Sequence, residues 1–199
     1  MPAYVEIVNK ILSLGIIFLQ LIIIFITFNL IFFRSQNNKV LIFFKKYTFH
    51  LGFFISLGAV FSSLFYSQVV GFPPCELCWV QRIFLYPQLI LFSMELYKKD
   101  RSIIDFSIVF AVLGSLVSIY HIYVENGGST SLSCAVLNPI NASQASCVIR
   151  YIYEFGYITM PIMALTASLF IFILLINSKY MSRVARPPKF AHHPCIIIN

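Results

Sequence analysis

Gly71-Phe-Pro-Pro-Cys75-Glu-Leu-Cys78-Trp-Val-Gln-Arg82 sets two cysteines three residues apart, with a proline pair before them and a long apolar run after. Pro74 suits the first turn of a helix, where a missing N–H costs nothing. The stretch therefore predicts a helix that starts at the cysteines and continues into a membrane. Positions 75, 78 and 82 are spaced i, i+3, i+7, which puts both sulfurs and the Arg82 guanidinium on one helical face. A helix N-terminus and a nearby cation both favour the thiolate. The first expectation is a redox dithiol at a membrane surface.

The surrounding chain fits that setting. Of its 199 residues 59% are apolar and only 11% charged, with a mean hydropathy of +0.87; a soluble domain carries about a quarter charged residues. The net charge of +7 does not indicate nucleic acid, because the basic residues sit between apolar runs, as topology signals do. Those runs cover about residues 11–33, 47–70, 75–97, 103–124 and 156–176, each long enough for a hydrocarbon layer of roughly 30 Å. The first is too long and too weakly preceded by charge for a cleaved signal, so it reads as an uncleaved anchor. The second holds Gly52, Ser56, Gly58, Ser62 and Ser63, small residues that allow close helix approach, with His50 as an interfacial histidine. Pro87 should kink the third, and Pro161 lies near the start of the fifth.

Loops 34–46 and 98–101 and the tail 177–199 hold eleven of the fourteen Lys and Arg residues. Five spans put these segments on one side, the cytoplasmic one by the positive-inside rule. The 75/78 turn and the loop 125–155, with Cys134 and Cys147, then share the outer face of a cell inner (plasma) membrane, where disulfides persist. The expected fold is an all-α membrane protein, a four-helix transmembrane bundle plus one additional N-terminal transmembrane helix. Its parts would be an anchor and basic loop (1–46), the bundle (47–176) with its redox loop (125–155), and a basic tail (177–199).

Five cysteines divide into two pairs and Cys195. Cys-x-x-Cys can be half a zinc site, a structural staple or a redox dithiol. Zinc needs four ligands, which Cys134 and Cys147 would complete, although oxidation competes with metal outside the cytoplasm. Disulfide exchange needs an accessible thiolate, a reachable second disulfide and a good leaving sulfur, and a cysteine-bearing loop beside a fixed dithiol meets those needs. The chain has no nucleotide-binding glycine motif and no intramembrane histidine pair for haem, so a quinone is the economical electron acceptor. Arg82 at membrane depth reads as functional or as snorkelling. His121 reads as a quinone or proton contact or as interfacial, and Trp79 as a belt aromatic or a cofactor contact. The tail cluster His192-His193-Pro-Cys195 reads as metal-binding or as a spectator. Asn141-Ala-Ser143 is a glycosylation sequon, meaningful only in a eukaryotic secretory pathway.

Cys75-Glu-Leu-Cys78-Trp-Val-Gln-Arg82 resembles the Cys-x-x-Cys-x-x-x-Arg signature of the disulfide bond formation protein B (DsbB) family. Ser118-Ile-Tyr-His121 and the stretch from Ser146 to Pro161 resemble its short-loop, BdbC-like branch. The resemblance covers about residues 47–176. It implies a bundle that reoxidises a thioredoxin-like, DsbA-type thiol oxidase and passes electrons to ubiquinone or menaquinone, supporting disulfide formation in exported proteins. By resemblance, Cys78 lies nearest the quinone, and Cys75 is its partner and the acceptor from the loop. Cys134 is attacked by the soluble partner, and Cys147 exchanges with Cys75. Arg82 supports the quinone, with His121 a further candidate. The span 11–33 is additional to the four-helix pattern. A vitamin K epoxide reductase-like enzyme has a similar bundle, but there the loop cysteines precede the membrane pair, and here they follow it. A membrane scaffold or metal-handling protein with structural cysteines is the non-enzymatic alternative.

Overall fold

The computed structural model describes residues 3–32, 38–98, 103–128 and 147–184. Five helices run through it: α1 (Ala3–Phe32), α2 (Lys39–Leu64), α3 (Glu76–Lys98), α4 (Ile103–Glu125) and α5 (Met160–Val184). A π-helical turn, Phe65–Val69, continues α2. All five are long and apolar enough to cross a membrane. In hydrocarbon every backbone polar group needs an internal partner, which a helix supplies within one segment. Among the described residues the only extended pairing is an isolated bridge, Glu154 to Ile158. The protein is an all-α, multi-pass membrane protein.

Helices α2 to α5 pack on their neighbours, and α1 lies along α5 and α2. Phe92, Ile104, Ala111, Ile171 and Leu175 form one apolar core; Leu19 and Ile26 of α1 join Phe170 and Leu174 of α5 in another. The first helix is thus a packed member of the bundle, more than the simple anchor expected.

Two helix starts and the place of Pro74 differ from expectation, each for a local reason. The Asn38 side chain accepts the Val40 N–H at 3.0 Å and donates to Asn29 of α1 at 3.2 Å. That cap starts α2 at Lys39, ahead of Tyr47, so Lys39, Lys45 and Lys46 are helical and not loop. Next, α3 starts at Glu76, which leaves Pro74 before the helix and not in its first turn. Cys75 occupies the cap position, its C=O accepting the Trp79 N–H at 3.2 Å; from there α3 continues past Pro87 to Lys98. Finally, α5 starts at Met160 and not Gly156, because Phe155 (φ 51°) and Gly156 (φ 80°) form a tight turn of successive left-handed residues. The Tyr157 N–H closes that turn on the Glu154 C=O at 3.3 Å.

The two ends of the bundle differ in chemistry. At one, Asn177 of α5 donates to the Leu41 C=O at 3.1 Å and Lys179 pairs with Asp105. At the other lie Tyr66, Cys75, His121 and Cys147. Cys134, Asn141, Ser143, His192, His193 and Cys195 lie outside the described residues.

Gly52 of α2 packs tightly against α3: a Cβ there would lie 2.6 Å from the Phe92 ring, itself only 2% exposed. Gly52→Ala should therefore cost about 1–3 kcal/mol by overpacking, seen as a lower unfolding temperature in detergent. Adding Phe92→Leu should recover most of that loss. Gly58→Ala, where the new carbon meets nothing within 4 Å, should be neutral or better.

Candidate functional site

The first amides of a helix have no partner within it. Cys75 meets one of them with its sulfur, which accepts the Cys78 N–H at 3.3 Å. The same geometry puts the two sulfurs 2.8 Å apart, both as free thiols. Leu77, Val124, Tyr120 and Cys147 pack around them. The Cys75 thiol is pushed up in pKa, first by its hydrogen bond to the Cys78 sulfur and then by burial. For this cysteine the expected thiolate preference of a helix terminus is overridden: its sulfur is buried beside a second sulfur.

His121 of α4 is buried, with Nε2 3.7 Å from the Cys75 sulfur. The donor atoms of Cys75, His121 and Cys147 all lie within 4.8 Å of one another. Cys147 is disulfide-bonded, so the trio can offer a metal two thiolates and an imidazole only after reduction. The segment carrying Cys147 is clamped to the end of α4. Arg150 pairs with the buried Glu125 at 3.3 Å and donates to Asn126 Oδ1 at 2.8 Å; the Thr159 hydroxyl donates to the other Glu125 oxygen at 2.9 Å.

Arg82 is buried rather than snorkelling. Its Nε donates to the Ser63 hydroxyl at 2.8 Å, its Nη2 to the Ser63 C=O at 3.1 Å, and its guanidinium lies over the Trp79 ring, 4.9 Å from the centroid. Beside it opens a cavity of about 640 Å³, mostly apolar, bordered by Cys75, Cys78, Arg82, His121 and Cys147. The structure thus gathers every described site residue expected from the sequence except Trp79, which does not border the cavity and meets it only through Arg82.

Several participants were missed. Ser63 read as a packing residue, and only the register of α2 against α3 makes it the Arg82 acceptor. Glu125 and Arg150 are 25 residues apart in sequence, and nothing local couples them. Tyr86, one turn beyond Arg82, borders the cavity with a hydroxyl that has no hydrogen-bond partner among the described residues; its i+4 spacing from Arg82 was the available signal. Tyr66, Phe72 and Tyr151 stack along the rim, with centroids 6.2 and 4.7 Å apart. The Tyr151 phenol is pushed up in pKa by burial first, then by the neighbouring Cys75 and Cys78.

The family model "Disulfide bond formation protein DsbB" matches residues 45–177. The SPbeta prophage-derived disulfide bond formation protein B of Bacillus subtilis is 34% identical over 142 residues, which is 69% of this chain and 92% of that protein. Disulfide bond formation protein C of the same organism is 34% identical over 124 residues, 61% of this chain and 84% of its own. A probable disulfide formation protein of Oceanobacillus iheyensis is 38% identical over 123 residues, 58% of this chain and 77% of its own. No solved structure matches.

The sulfur geometry can be tested without any partner. With Cys78, Cys134 and Cys195 replaced by serine, Cys75 and Cys147 should join in a disulfide under mild oxidation, read as loss of two alkylatable thiols by mass spectrometry. Arg150→Ala in that background unclamps the segment and should slow the joining several-fold.

Proposed function

Because the chain belongs to the disulfide bond formation protein DsbB family, we propose that it reoxidises a thioredoxin-like, DsbA-type thiol oxidase and hands the electrons to a membrane quinone. The family makes it a membrane disulfide oxidoreductase; the partner, the acceptor and the residue roles are the reading advanced here. One observation carries it: disulfide-bonded Cys147 lies with Cys75 and His121, donor atoms within 4.8 Å, in the wall of an apolar cavity.

A thiolate of the reduced partner attacks Cys134 of a Cys134–Cys147 disulfide, and Cys147 leaves as thiolate. The partner's second thiol resolves the mixed disulfide, so the partner departs oxidised. Cys147 then attacks Cys75 of the Cys75–Cys78 disulfide and expels Cys78. Cys134 resolves the Cys75–Cys147 bond, which restores the loop disulfide. Two electrons and two protons have moved from the partner to Cys75 and Cys78. His121 Nε2, 3.7 Å from the Cys75 sulfur, is placed to exchange the Cys75 proton.

The cavity fits a quinone. Its volume lies within the roughly 300–1,000 Å³ of small-molecule sites; apolar walls suit a prenyl tail, and Arg82 and the unpartnered Tyr86 hydroxyl are donors for ring oxygens. A bound quinone supplies a two-electron, two-proton acceptor to the Cys75/Cys78 dithiol. Ser63 holds Arg82 in place, and the dry apolar lining keeps water from the thiols. The basic end of the bundle is assigned to the cytoplasm, which gives the cysteines the extracytoplasmic face of the plasma membrane. Residues 47–176 form the redox unit, flanked by 1–46 and 177–199.

Cys75→Ser or Cys78→Ser should abolish quinone reduction while the loop pair still oxidises the partner once. Cys134→Ser or Cys147→Ser should block transfer from the partner, yet leave quinone reduction when a small dithiol feeds Cys75 and Cys78 directly. Quinone absorbance and trapped mixed disulfides read the two halves separately. Retained quinone reduction in Cys78→Ser would reject the scheme.

A further inference from the structure

Helix α1 lies outside the family-matched residues 45–177, yet it borders the cavity. Ile11, Gly15, Leu19 and Ile22 line it together with Arg82 and Tyr86. Specific polar bonds hold α1 there. Asn9, 3% exposed, accepts the Tyr66 hydroxyl at 2.7 Å, and Tyr66 is itself a cavity residue. Halfway along, Gln20 donates to Thr166 of α5 at 3.2 Å and accepts the Tyr157 hydroxyl at 2.8 Å. Side-chain hydrogen bonds of this kind fix helix pairing in a membrane, where apolar surface alone gives no preference for protein over lipid. Gly15 removes side-chain bulk where α1 faces the cavity: a Cβ there would meet nothing within 4 Å.

We propose that α1 is the tail-binding wall of the quinone cavity, with Asn9–Tyr66 and Gln20–Thr166 as the bonds that hold it closed. The inference rests on the quinone reading above. Tyr66, the partner of Asn9, stands at the thiol end; from there the α1 lining residues Ile11, Gly15, Leu19 and Ile22 run on for about three turns with no polar side-chain atom among them, so α1 offers carbon surface to the prenyl chain and leaves the ring oxygens to Arg82 and Tyr86. Wall contact with a prenyl chain adds affinity through buried apolar area, and it discriminates quinones by tail length.

Trp79, the only tryptophan, packs on Arg82 and reports binding by fluorescence quenching. Full-length protein in detergent is titrated with a long-tailed quinone and with its single-isoprene analogue. Gly15→Leu fills the wall with a better helix former. It should weaken the long-tailed quinone about tenfold and leave the analogue within about twofold. It should also lower the quinone extracted from the purified protein. Asn9→Leu, which breaks the latch, should act in the same direction and serves if Gly15→Leu fails to fold. Ile24→Ala, on the exposed side of α1, should change neither affinity. Unchanged affinities in Gly15→Leu and Asn9→Leu, or equal weakening of both quinones, would overturn the wall. No quenching by either quinone in the unmodified protein would instead overturn the quinone reading, and the wall with it.

Discussion

The hydrogen bond from the Cys78 N–H to the Cys75 sulfur, 3.3 Å long, is the contact on which the site depends. It starts α3 at the membrane rim and sets the two sulfurs together. Arg82, two turns on from Cys75, shares its helical face and meets Ser63 of α2 and the cavity. Sulfur is a weak acceptor, and serine or aspartate would cap this helix better. The helix start has been given up to chemistry, and Pro73 and Pro74 offset part of the loss. Each fixes its own φ and restricts the residue before it, so less chain entropy is lost in presenting Cys75 at the cap.

Polar side chains do the rest of the positioning. Gln81 donates to Ser118 at 3.2 Å, Arg82 to Ser63 and Asn177 to Leu41, tying α3 to α4, α3 to α2 and α5 to α2. Each such bond in a membrane is worth only about 0.5–2 kcal/mol, but each accepts a single register. Glu125 shows the logic at the water-facing end. A buried carboxylate is costly unless paired and hydrogen-bonded; Arg150 and Thr159 do both, and their demand for Glu125 brings Cys147 down onto Cys75.

Much of this was legible in the chain. The five spans follow from hydropathy, and the shared face of Cys75, Cys78 and Arg82 from the helical period. Where the reading failed, the cause was a local choice that composition does not reveal. Lys39, Lys45 and Lys46 resemble loop residues, yet the Asn38 cap makes them helical, because long basic side chains reach water from inside a helix. The start of α5 moved because Phe155 takes a left-handed conformation that a β-branched or bulky residue rarely adopts. Ser63 could not be found as the Arg82 partner, since that pairing depends on how α2 and α3 register, and no periodicity within either helix encodes it. Trp79 was half legible: its place beside Arg82 follows from i+3 spacing, but whether its ring faces cavity or lipid depends on helix rotation.

The first helix shows how such readings go astray. In a 30-residue apolar helix, Asn9, Gln20 and Asn29 look like blemishes that weaken a membrane anchor. A polar amide facing hydrocarbon without a partner costs several kcal/mol, so an anchor that only held the chain to the bilayer would gain by losing them. Each instead has a named partner: Tyr66 for Asn9, Thr166 and Tyr157 for Gln20, Asn38 for Asn29. The three sites are spread along the whole helix, which leaves it little freedom to rotate or slide. A helix held so firmly against the bundle sets the shape of the cavity that its apolar residues line, while Asn9, Gln20 and Asn29, which are not among the lining residues, hold it from its other faces.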